Sequence, residues 1–201
     1  MPLKRVELYF INSRIRMMII LTGPSASGKT AVCLYLQEHF DIKKVVTHTT
    51  REKRVGEIDG VDYHFVSVDE FEKLKKEGYF IETVKFNNNY YGTSKKEVKF
   101  DKCLAVEFNG AQTYASLKNK EIVIFYLKLS EELRKKRMMS RGDPEEKINS
   151  RIINDREAFT LNEYITKIID EEVDTEKLDI KESAEFIIKR YKEILKERKV
   201  K

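Results

Sequence analysis

The stretch LTGPSASGKTAV, residues 21–32, decides the fold of this chain. It follows the apolar run MMIIL and places Gly23, Gly28, Lys29 and Thr30 in the spacing G-x-x-x-x-G-K-[ST]. Between a strand and a helix, this spacing directs consecutive backbone N–H groups at an anion beside the positive end of the helix. The stretch therefore predicts a phosphate-binding loop for a nucleoside triphosphate. The loop alone does not identify a second substrate.

The residue types within the loop predict separate roles. Glycines allow the unusual backbone angles and the close approach that a phosphate needs. Lys29 is placed to bridge the β- and γ-phosphates, and the Thr30 hydroxyl is placed to ligate Mg²⁺. The predicted triphosphate-binding residues are Gly23, Pro24, Ser25, Ala26, Ser27, Gly28, Lys29 and Thr30.

Composition limits the class of protein. The chain has 201 residues and a net charge of +5, which predicts one domain, with room for a small inserted subdomain, and a mild preference for anionic substrates. This basic excess does not indicate nucleic-acid binding. No apolar run approaches the ~20 residues that cross a bilayer, so we expect a cytoplasmic protein without a membrane partner.

The two cysteines and the first sixteen residues carry no assigned chemistry. Cys33 and Cys103 lie inside apolar runs, which predicts buried thiols in a reducing compartment rather than a disulfide or a metal site. Residues 1–16 form an N-terminal extension of unknown role. An extra strand, a basic tail and an extension upstream of a start at Met17 or Met18 all remain open, and a cleaved presequence is disfavoured.

Apolar runs alternate with helical patterns along the chain. The runs MMIIL, KVVTHT, CLAVEF and EIVIFYLKL are rich in β-branched residues, and their alternation with helices predicts an α/β fold with a parallel sheet. Residues 55–93 instead contain shorter alternating strands around one amphipathic helix, which indicates a small β-rich lobe. The core of the domain is then predicted to consist of residues 17–54 and 94–201. The run NNN at 87–89 predicts a hairpin turn that tolerates positive φ.

Two helix starts are predicted from capping patterns. Asp143 is placed as N-cap, with Pro144 at the first helical position and Glu146 at the third, for the helix that carries Arg151. Ser130 is placed as the start of the preceding helix.

The helix after Ser130 presents a row of cations. Arg137 and Arg141 are four residues apart and therefore share one face. Three other cations of this helix are interpreted as a solvated basic face, namely Arg134, Lys135 and Lys136.

A second anion site is predicted after the strand that ends near Thr47. Arg51 and Arg54 follow that strand at the probable carboxyl end of the sheet, where ligands of open α/β sheets bind. Paired guanidinium donors match the oxygens of a phosphate monoester, and the phenols of Tyr63 and Tyr91 can donate to the same group. For each tyrosine alone, core packing is an equally good interpretation.

The order of four segments resembles the guanylate kinase family. These segments are GPSASGKT, TTREKRVGEIDGVDYHFVSVDEF, FIETVKFNNNYYGTS and SRGDPEEKINSRI, within about residues 18–158. The resemblance implies a P-loop NTPase-type sheet flanked by helices, a small inserted NMP-binding lobe and an arginine-bearing helical lid at about 130–151. It further implies transfer of the γ-phosphoryl group of ATP to GMP, and also to dGMP, with Mg²⁺ as cofactor.

The resemblance also implies roles for individual residues. The family's GMP-phosphate residues match Arg51, Arg54, Tyr63 and Tyr91. Its guanine-facing residues match Thr47, Glu82 and Thr93. Its catalytic lysine and its lid and core arginines match Lys29, Arg137, Arg141 and Arg151. The chemistry agrees for Glu82, because a carboxylate accepts from the N1–H and 2-amino donors of guanine and adenine has no such pair.

Two departures from the family pattern leave alternatives open. The segment LAVEFNG has Ala105 and Glu107 where the family usually has two aspartates, so Glu107 is the remaining acid for Mg²⁺, through water. The segment KIIDEEV differs from the family's adenine-side segment, which leaves the adenine contacts near 168–172 open. A non-catalytic phosphopeptide-binding module of the same fold, or a kinase with another phosphorylated acceptor, therefore remains an alternative. We expect ATP and GMP as partners, no nucleic acid, and a monomer or homodimer.

Overall fold

The computed structural model describes residues 18–86, 88–97, 101–159 and 163–200. The predictions for residues 1–16 and for Met17 lie outside these described residues. In chain order the elements are β1 (Met18–Thr22), α1 (Lys29–Phe40), β2 (Lys43–Lys44), β3 (His48–Thr49), β4 (His64–Phe65), α2 (Val68–Lys76), β5 (Phe80–Phe86), β6 (Asn89–Ser94), β7 (Lys102–Ala105), α3 (Phe108–Ser116), β8 (Ile122–Lys128), α4 (Glu131–Ser140), α5 (Glu145–Ala158), α6 (Glu163–Ile168), β9 (Glu171–Asp174) and α7 (Ile180–Val200).

Five parallel strands form the core sheet, in the order β2-β7-β1-β8-β9. Successive residues of β1 face opposite sides of this sheet and are all buried. Ile19 and Leu21 pack with α1 and α7, whereas Met18 and Ile20 pack with α3. Burial on both faces is characteristic of a parallel sheet covered by helices, and the predicted α/β fold is confirmed.

Four shorter strands form a second sheet, in the order β4-β3-β6-β5. The strands β5 and β6 pair as a hairpin whose last described pair is Phe86 with Asn89, at the predicted position, and Asn88 has φ of 61°; Asn87 lies outside the described residues. The run KVVTHT was predicted to be a single strand of the core sheet, and the structure divides it between the two sheets. The chain leaves the core sheet after Val45, whose N–H donates to the Cys103 carbonyl, and His48 and Thr49 pair with Gly92 and Tyr91 of β6.

The second sheet therefore begins N-terminal to the lobe predicted at residues 55–93. Its helix α2 begins after Ser67, whose hydroxyl accepts from the Glu70 N–H as an N-cap. The strand β3, which lies in the predicted core segment 17–54, thus belongs to the same sheet as the strands of the predicted lobe.

The helix α4 begins after Ser130 as predicted, α5 begins one residue later than predicted, and the predicted capping contacts are wrong. Pro144 is the N-cap residue of α5, and no side-chain capping bond forms there or at Ser130. The Asp143 carboxylate instead accepts from Arg141 and Arg151. A charge-assisted bond to arginine is stronger than a bond to a backbone N–H, so the cap is lost to the ion pairs.

Both cysteines are buried free thiols, as predicted. Their Sγ atoms lie 2.9 Å apart, which joins α1 to β7 through a thiol–thiol contact. In the part of the chain that the structure describes, we find no helix long and apolar enough to span a membrane.

Candidate active site

The phosphate-binding loop joins β1 to α1 at the carboxyl end of the central strand. Gly23 has φ of 148°, and a Cβ at this position would lie 2.5 Å from the backbone oxygen of Leu127. Gly28 has φ of 101° and immediately precedes α1. The close neighbour and the left-handed backbone explain why glycine is required at these two positions.

Lys29 lies folded over this loop. Its ammonium donates to the carbonyl oxygens of Gly23, at 2.5 Å, and of Pro24, at 3.1 Å. The same ammonium lies 3.9 Å from the Glu107 carboxylate at the end of β7. The cation is therefore at the centre of the loop, where it can face a polyphosphate.

The predicted second anion site is a compact cluster beside β3 and β4. The Arg51 guanidinium lies 5.3 Å from the centre of the Tyr63 ring, and its Nη2 donates to both carboxylate oxygens of Glu57 at 2.7 and 2.9 Å. The rings of Tyr63 and Tyr91 lie 6.3 Å apart. Burial raises the pKa of Tyr63 to about 12, so its phenol remains a hydrogen-bond donor.

The predicted base-recognition residues lie on neighbouring strands of the second sheet and its entry. Thr93 is fully buried, and its hydroxyl donates to Oε1 of Glu82 at 2.7 Å. Burial raises the pKa of Glu82, while the hydrogen bonds from the Thr93 side chain and backbone act in the opposite direction. Thr47 is also buried and lines the same cavity as Glu82.

A single cleft brings most of the predicted residues together. Its walls include Ser25, Ala26, Lys29, Thr30, Thr47, Arg51, Arg54, Tyr63, Glu82, Tyr91, Ala105, Glu107, Arg141 and Arg151. The other predicted loop residues are not among those that line the cleft, and Thr93 contacts it through Glu82. The cleft thus connects the phosphate loop, the arginine–tyrosine cluster and the buried carboxylate.

The predicted lid arginines separate into two positions. Arg141 and Arg151 converge on Asp143, with Nε and Nη1 at 3.0 and 2.8 Å from its Oδ2. They lie near Arg54, whose pKa is lowered by burial and then by the neighbouring arginines. Arg137 lies beside the phosphate loop instead, where its guanidinium donates to the Ala26 carbonyl at 3.2 Å.

Sequence reasoning missed several residues that organise the site. Arg134 was predicted to be solvated, which is wrong: it is buried and pairs with Asp155 at 2.6 Å. Asp155 in turn accepts from Ser25 of the phosphate loop. Thr175 donates to the Ser27 carbonyl at 3.0 Å. These contacts join distant segments, so no local pattern in the sequence indicates them.

The residues around the loop fit a divalent cation held mainly by phosphate oxygens. Oε2 of Glu107 is buried and has no hydrogen-bond partner, and an unpaired acceptor of this kind suits a cation or its bound water. Burial raises the pKa of Glu107, and the neighbouring Lys29 opposes that shift. Within the described ranges, no cluster of three or more His, Cys, Asp or Glu side chains forms a metal site by itself.

Comparison with known proteins identifies the family. The guanylate kinase family model matches residues 15–187. This chain belongs to the guanylate kinase family. A guanylate kinase of Pseudoalteromonas translucida (strain TAC 125) is 37% identical over 172 residues, which cover 81% of this chain and 84% of that relative. One of Clostridioides difficile (strain 630) is 32% identical over 199 residues, or 89% of this chain and 97% of that relative.

A solved guanylate kinase structure agrees with this membership. The crystal structure of guanylate kinase from Anaplasma phagocytophilum has a TM-score of 0.65 and 25% sequence identity, covering 89% of this chain and 85% of that chain. The cleft described above is therefore the candidate active site of a guanylate kinase family enzyme.

Proposed function

We propose that this chain transfers the γ-phosphoryl group of ATP to GMP, forming ADP and GDP, with Mg²⁺ as the cofactor. Membership of the guanylate kinase family supports this activity. The observation that carries the proposal is the shared cleft, which contains Lys29 of the phosphate loop at one end and the buried Glu82 carboxylate at the other.

The donor end of the cleft suits a triphosphate. The loop amides and Lys29 form an anion site at the start of α1, where the helix dipole adds positive potential. The carbonyls of Ala26 and Ser27 are occupied by Arg137 and Thr175, which turns these acceptors away from the anion. Among the loop N–H groups, those of Ser25 and Ser27 donate to Asp155 and to the Pro24 carbonyl, and we assign the other N–H groups of the loop to the β- and γ-phosphates of ATP.

The acceptor end suits a purine monophosphate. We assign the phosphate to Arg51, Arg54, Tyr63 and Tyr91, because bidentate arginine and phenol donors match a dianion. Nη2 of Arg51 already donates to both oxygens of a carboxylate, Glu57, which supports anion binding by this guanidinium. The acceptor phosphate has a second pKa of ~6, so it is largely ionised near neutrality and needs no general base to attack.

The Glu82 carboxylate supports guanine over adenine. Its oxygens can accept from N1–H and from the 2-amino group of guanine, and the Thr93 hydroxyl fixes their orientation. An adenine in this position would leave a buried acceptor without a donor, which costs ~1–3 kcal/mol. Thr47 lines the same part of the cleft and is our second guanine-facing residue.

Charge neutralisation supports the transfer step itself. Lys29, Arg137, Arg141 and Arg151 are our catalytic cations, since phosphoryl transfer depends on positioning and electrostatic stabilisation. Thr30 and Glu107 would hold Mg²⁺, directly or through water, and bound Mg²⁺ supplies further neutralisation of the phosphate oxygens.

Ala105 favours one alternative acceptor class. It lines the cleft at a position where the family usually has a carboxylate, so a different phosphorylated acceptor remains the second candidate. The phosphopeptide-binding alternative is disfavoured, because the phosphate loop and the lid arginines are retained. A cytoplasmic location, a monomeric or homodimeric state, and the lobe and lid boundaries at 55–93 and about 130–151 remain predictions from the sequence.

An acceptor panel tests the proposal. ADP release from ATP is measured with GMP, dGMP, AMP, UMP and CMP under matched conditions, with and without Mg²⁺. We expect Mg²⁺-dependent turnover with GMP and dGMP and little with the other acceptors. Turnover only with a non-guanine acceptor would support the second candidate, and no turnover with any acceptor would support the binding module.

A further inference from the structure

A buried ion pair lies directly behind the phosphate loop. Nη1 of Arg134, on α4, donates to Oδ2 of Asp155, on α5, at 2.6 Å, and the two side chains are 7% and 0% exposed. Burying two charges is costly and stabilises a fold little by itself, so such a pair is a good candidate for a positional role. Of the two helices that it joins, α4 lies within the predicted lid at about 130–151 and α5 begins within it.

The same carboxylate also holds the loop. The backbone N–H of Ser25 donates to Oδ2 of Asp155 at 2.9 Å, and the Ser25 hydroxyl donates to Oδ1 at 3.3 Å. The Ser25 N–H is thus directed at a protein carboxylate. Arg134 neutralises that carboxylate, so the bound triphosphate does not face an unpaired negative charge behind the loop.

The neighbouring residue shows why the loop needs an external anchor. Ala26 has φ of 64°, a left-handed conformation that is unfavourable for a residue with a Cβ. Its carbonyl accepts from Arg137 at 3.2 Å, and its N-terminal neighbour Ser25 is held by Asp155. Contacts on both sides of Ala26 therefore maintain a backbone conformation that the sequence alone does not favour.

We propose that Asp155 and Arg134 are positioning residues of the ATP site, which hold Ser25 so that the following loop amides face the triphosphate. This inference rests on the proposed function, because it assumes that the loop binds ATP. It assigns no contact between Asp155 and a nucleotide. It predicts an effect on ATP binding that is separate from GMP binding, since the side-chain hydrogen bonds found for Asp155 among the described residues go to Ser25 and Arg134, on the donor side of the site.

The chain offers a matched control for this pair. Arg156 and Glu131 form a second ion pair between the same two helices, a bidentate one with distances of 2.7 and 2.8 Å. The Arg156 side chain is 64% exposed, whereas the Arg134 side chain is 7% exposed. Arg156→Ala therefore removes an α4–α5 ion pair and leaves the Ser25 anchor in place.

Dissociation constants for a non-hydrolysable ATP analogue and for GMP, each measured alone by calorimetry, test the proposal. We expect Asp155→Ala to weaken binding of the ATP analogue about tenfold, the equivalent of one hydrogen bond to a charged group. GMP affinity should change less than twofold, and Arg156→Ala should bind both ligands like wild type. Unchanged binding of the ATP analogue, or an equal loss for both ligands, would overturn the proposal.

A second variant tests the proposal if Asp155→Ala does not fold. Arg134→Met with Asp155→Leu replaces both charges by apolar groups of similar size, a change that buried ion pairs often tolerate. This double variant should remain folded and also bind the ATP analogue about tenfold more weakly; wild-type affinity would overturn the proposal. Wild-type protein that binds the ATP analogue but does not phosphorylate GMP would contradict the proposed function and leave this inference standing.

Discussion

The hydroxyl of Thr93 donates to Oε1 of Glu82 at 2.7 Å, inside the cleft that also contains the phosphate loop. The donor is fully buried, so this bond fixes the carboxylate in one orientation. A fixed carboxylate selects its ligand by the donors that the ligand presents. The pair is therefore the structural basis of the guanine preference that we propose.

Glu82→Gln should reduce the preference for GMP over AMP. The amide replaces one acceptor with a donor that faces a guanine donor, which costs ~1–3 kcal/mol, or roughly 5- to 150-fold in kcat/KM for GMP. Steady-state kinetics with both acceptors measure this ratio. Glu97→Gln, which alters a partly exposed ion pair with Lys102, is the control. Unchanged GMP kinetics in the Glu82 variant would remove this residue from the base site.

Lys29→Ala should abolish phosphoryl transfer without unfolding the protein. Its ammonium is the cation at the centre of the phosphate loop, and removal of such a charge from a transfer site typically costs ~100-fold or more in kcat. Coupled ADP release measures the loss, and circular dichroism checks the fold. Lys76→Ala, at the exposed end of α2, should behave like wild type. Substantial residual transfer by the Lys29 variant would contradict the loop assignment.

Gly23→Ala should destroy the ATP site. The added Cβ would lie 2.5 Å from the Leu127 carbonyl oxygen, which belongs to the backbone of β8 and cannot move away cheaply. We expect a loss of ATP-analogue binding beyond tenfold and a lower melting temperature, by several degrees. Gly78→Ala is the matched control, because Gly78 also has positive φ but only the tip of Lys95 is within 4 Å. Equal behaviour of the two variants would contradict the close-approach argument.

The stability of the protein should fall in acid through His48. Burial, followed by the neighbouring charge of His64, lowers the pKa of His48 to about 4 from its usual 6.5. The unfolded chain therefore binds a proton at higher pH than the native protein does. The free energy of unfolding should rise as pH increases from about 4 to 6.5, and this contribution, roughly 2–3 kcal/mol, is lost on acidification.

Urea unfolding at pH 7 and at pH 4.5 measures this dependence. His48→Gln should flatten the pH dependence relative to wild type, because it removes the group whose pKa differs between the two states. His39→Gln is the control, since that side chain is 45% exposed. The same loss of stability in wild type and the His48 variant would show that other groups cause it.

The phosphate loop was predictable because its determinants are local. A strand, two glycines and a Lys-Thr pair occur within thirteen residues, and each has a steric or electrostatic reason to be there. The sheet around it was predictable from the apolar runs for the same reason. The boundary between the two sheets near His48 was not predictable. A continuous apolar run can contribute to two different sheets, and the strands with which it pairs, far along the chain, decide where it divides.

The contacts that hold the phosphate loop and the lid arginines in place were not predictable from local sequence patterns. Arg134 and Asp155 are twenty-one residues apart and meet only because α4 and α5 pack together. Asp143 satisfies a capping pattern in the sequence, yet the fold brings Arg151 to its carboxylate and the pattern fails. At Asp143, the competition between a backbone cap and the arginines was settled by the stronger, charge-assisted contacts.

The destination of the transferred phosphoryl group tests the central claim most directly. ATP labelled with ³²P in the γ-phosphate is incubated with GMP, Mg²⁺ and the protein, and the labelled products are separated by chromatography. Our account predicts that the label appears in GDP and that Lys29→Ala prevents this. Label that remains in ATP, or that appears only as inorganic phosphate while GMP is unchanged, would contradict it.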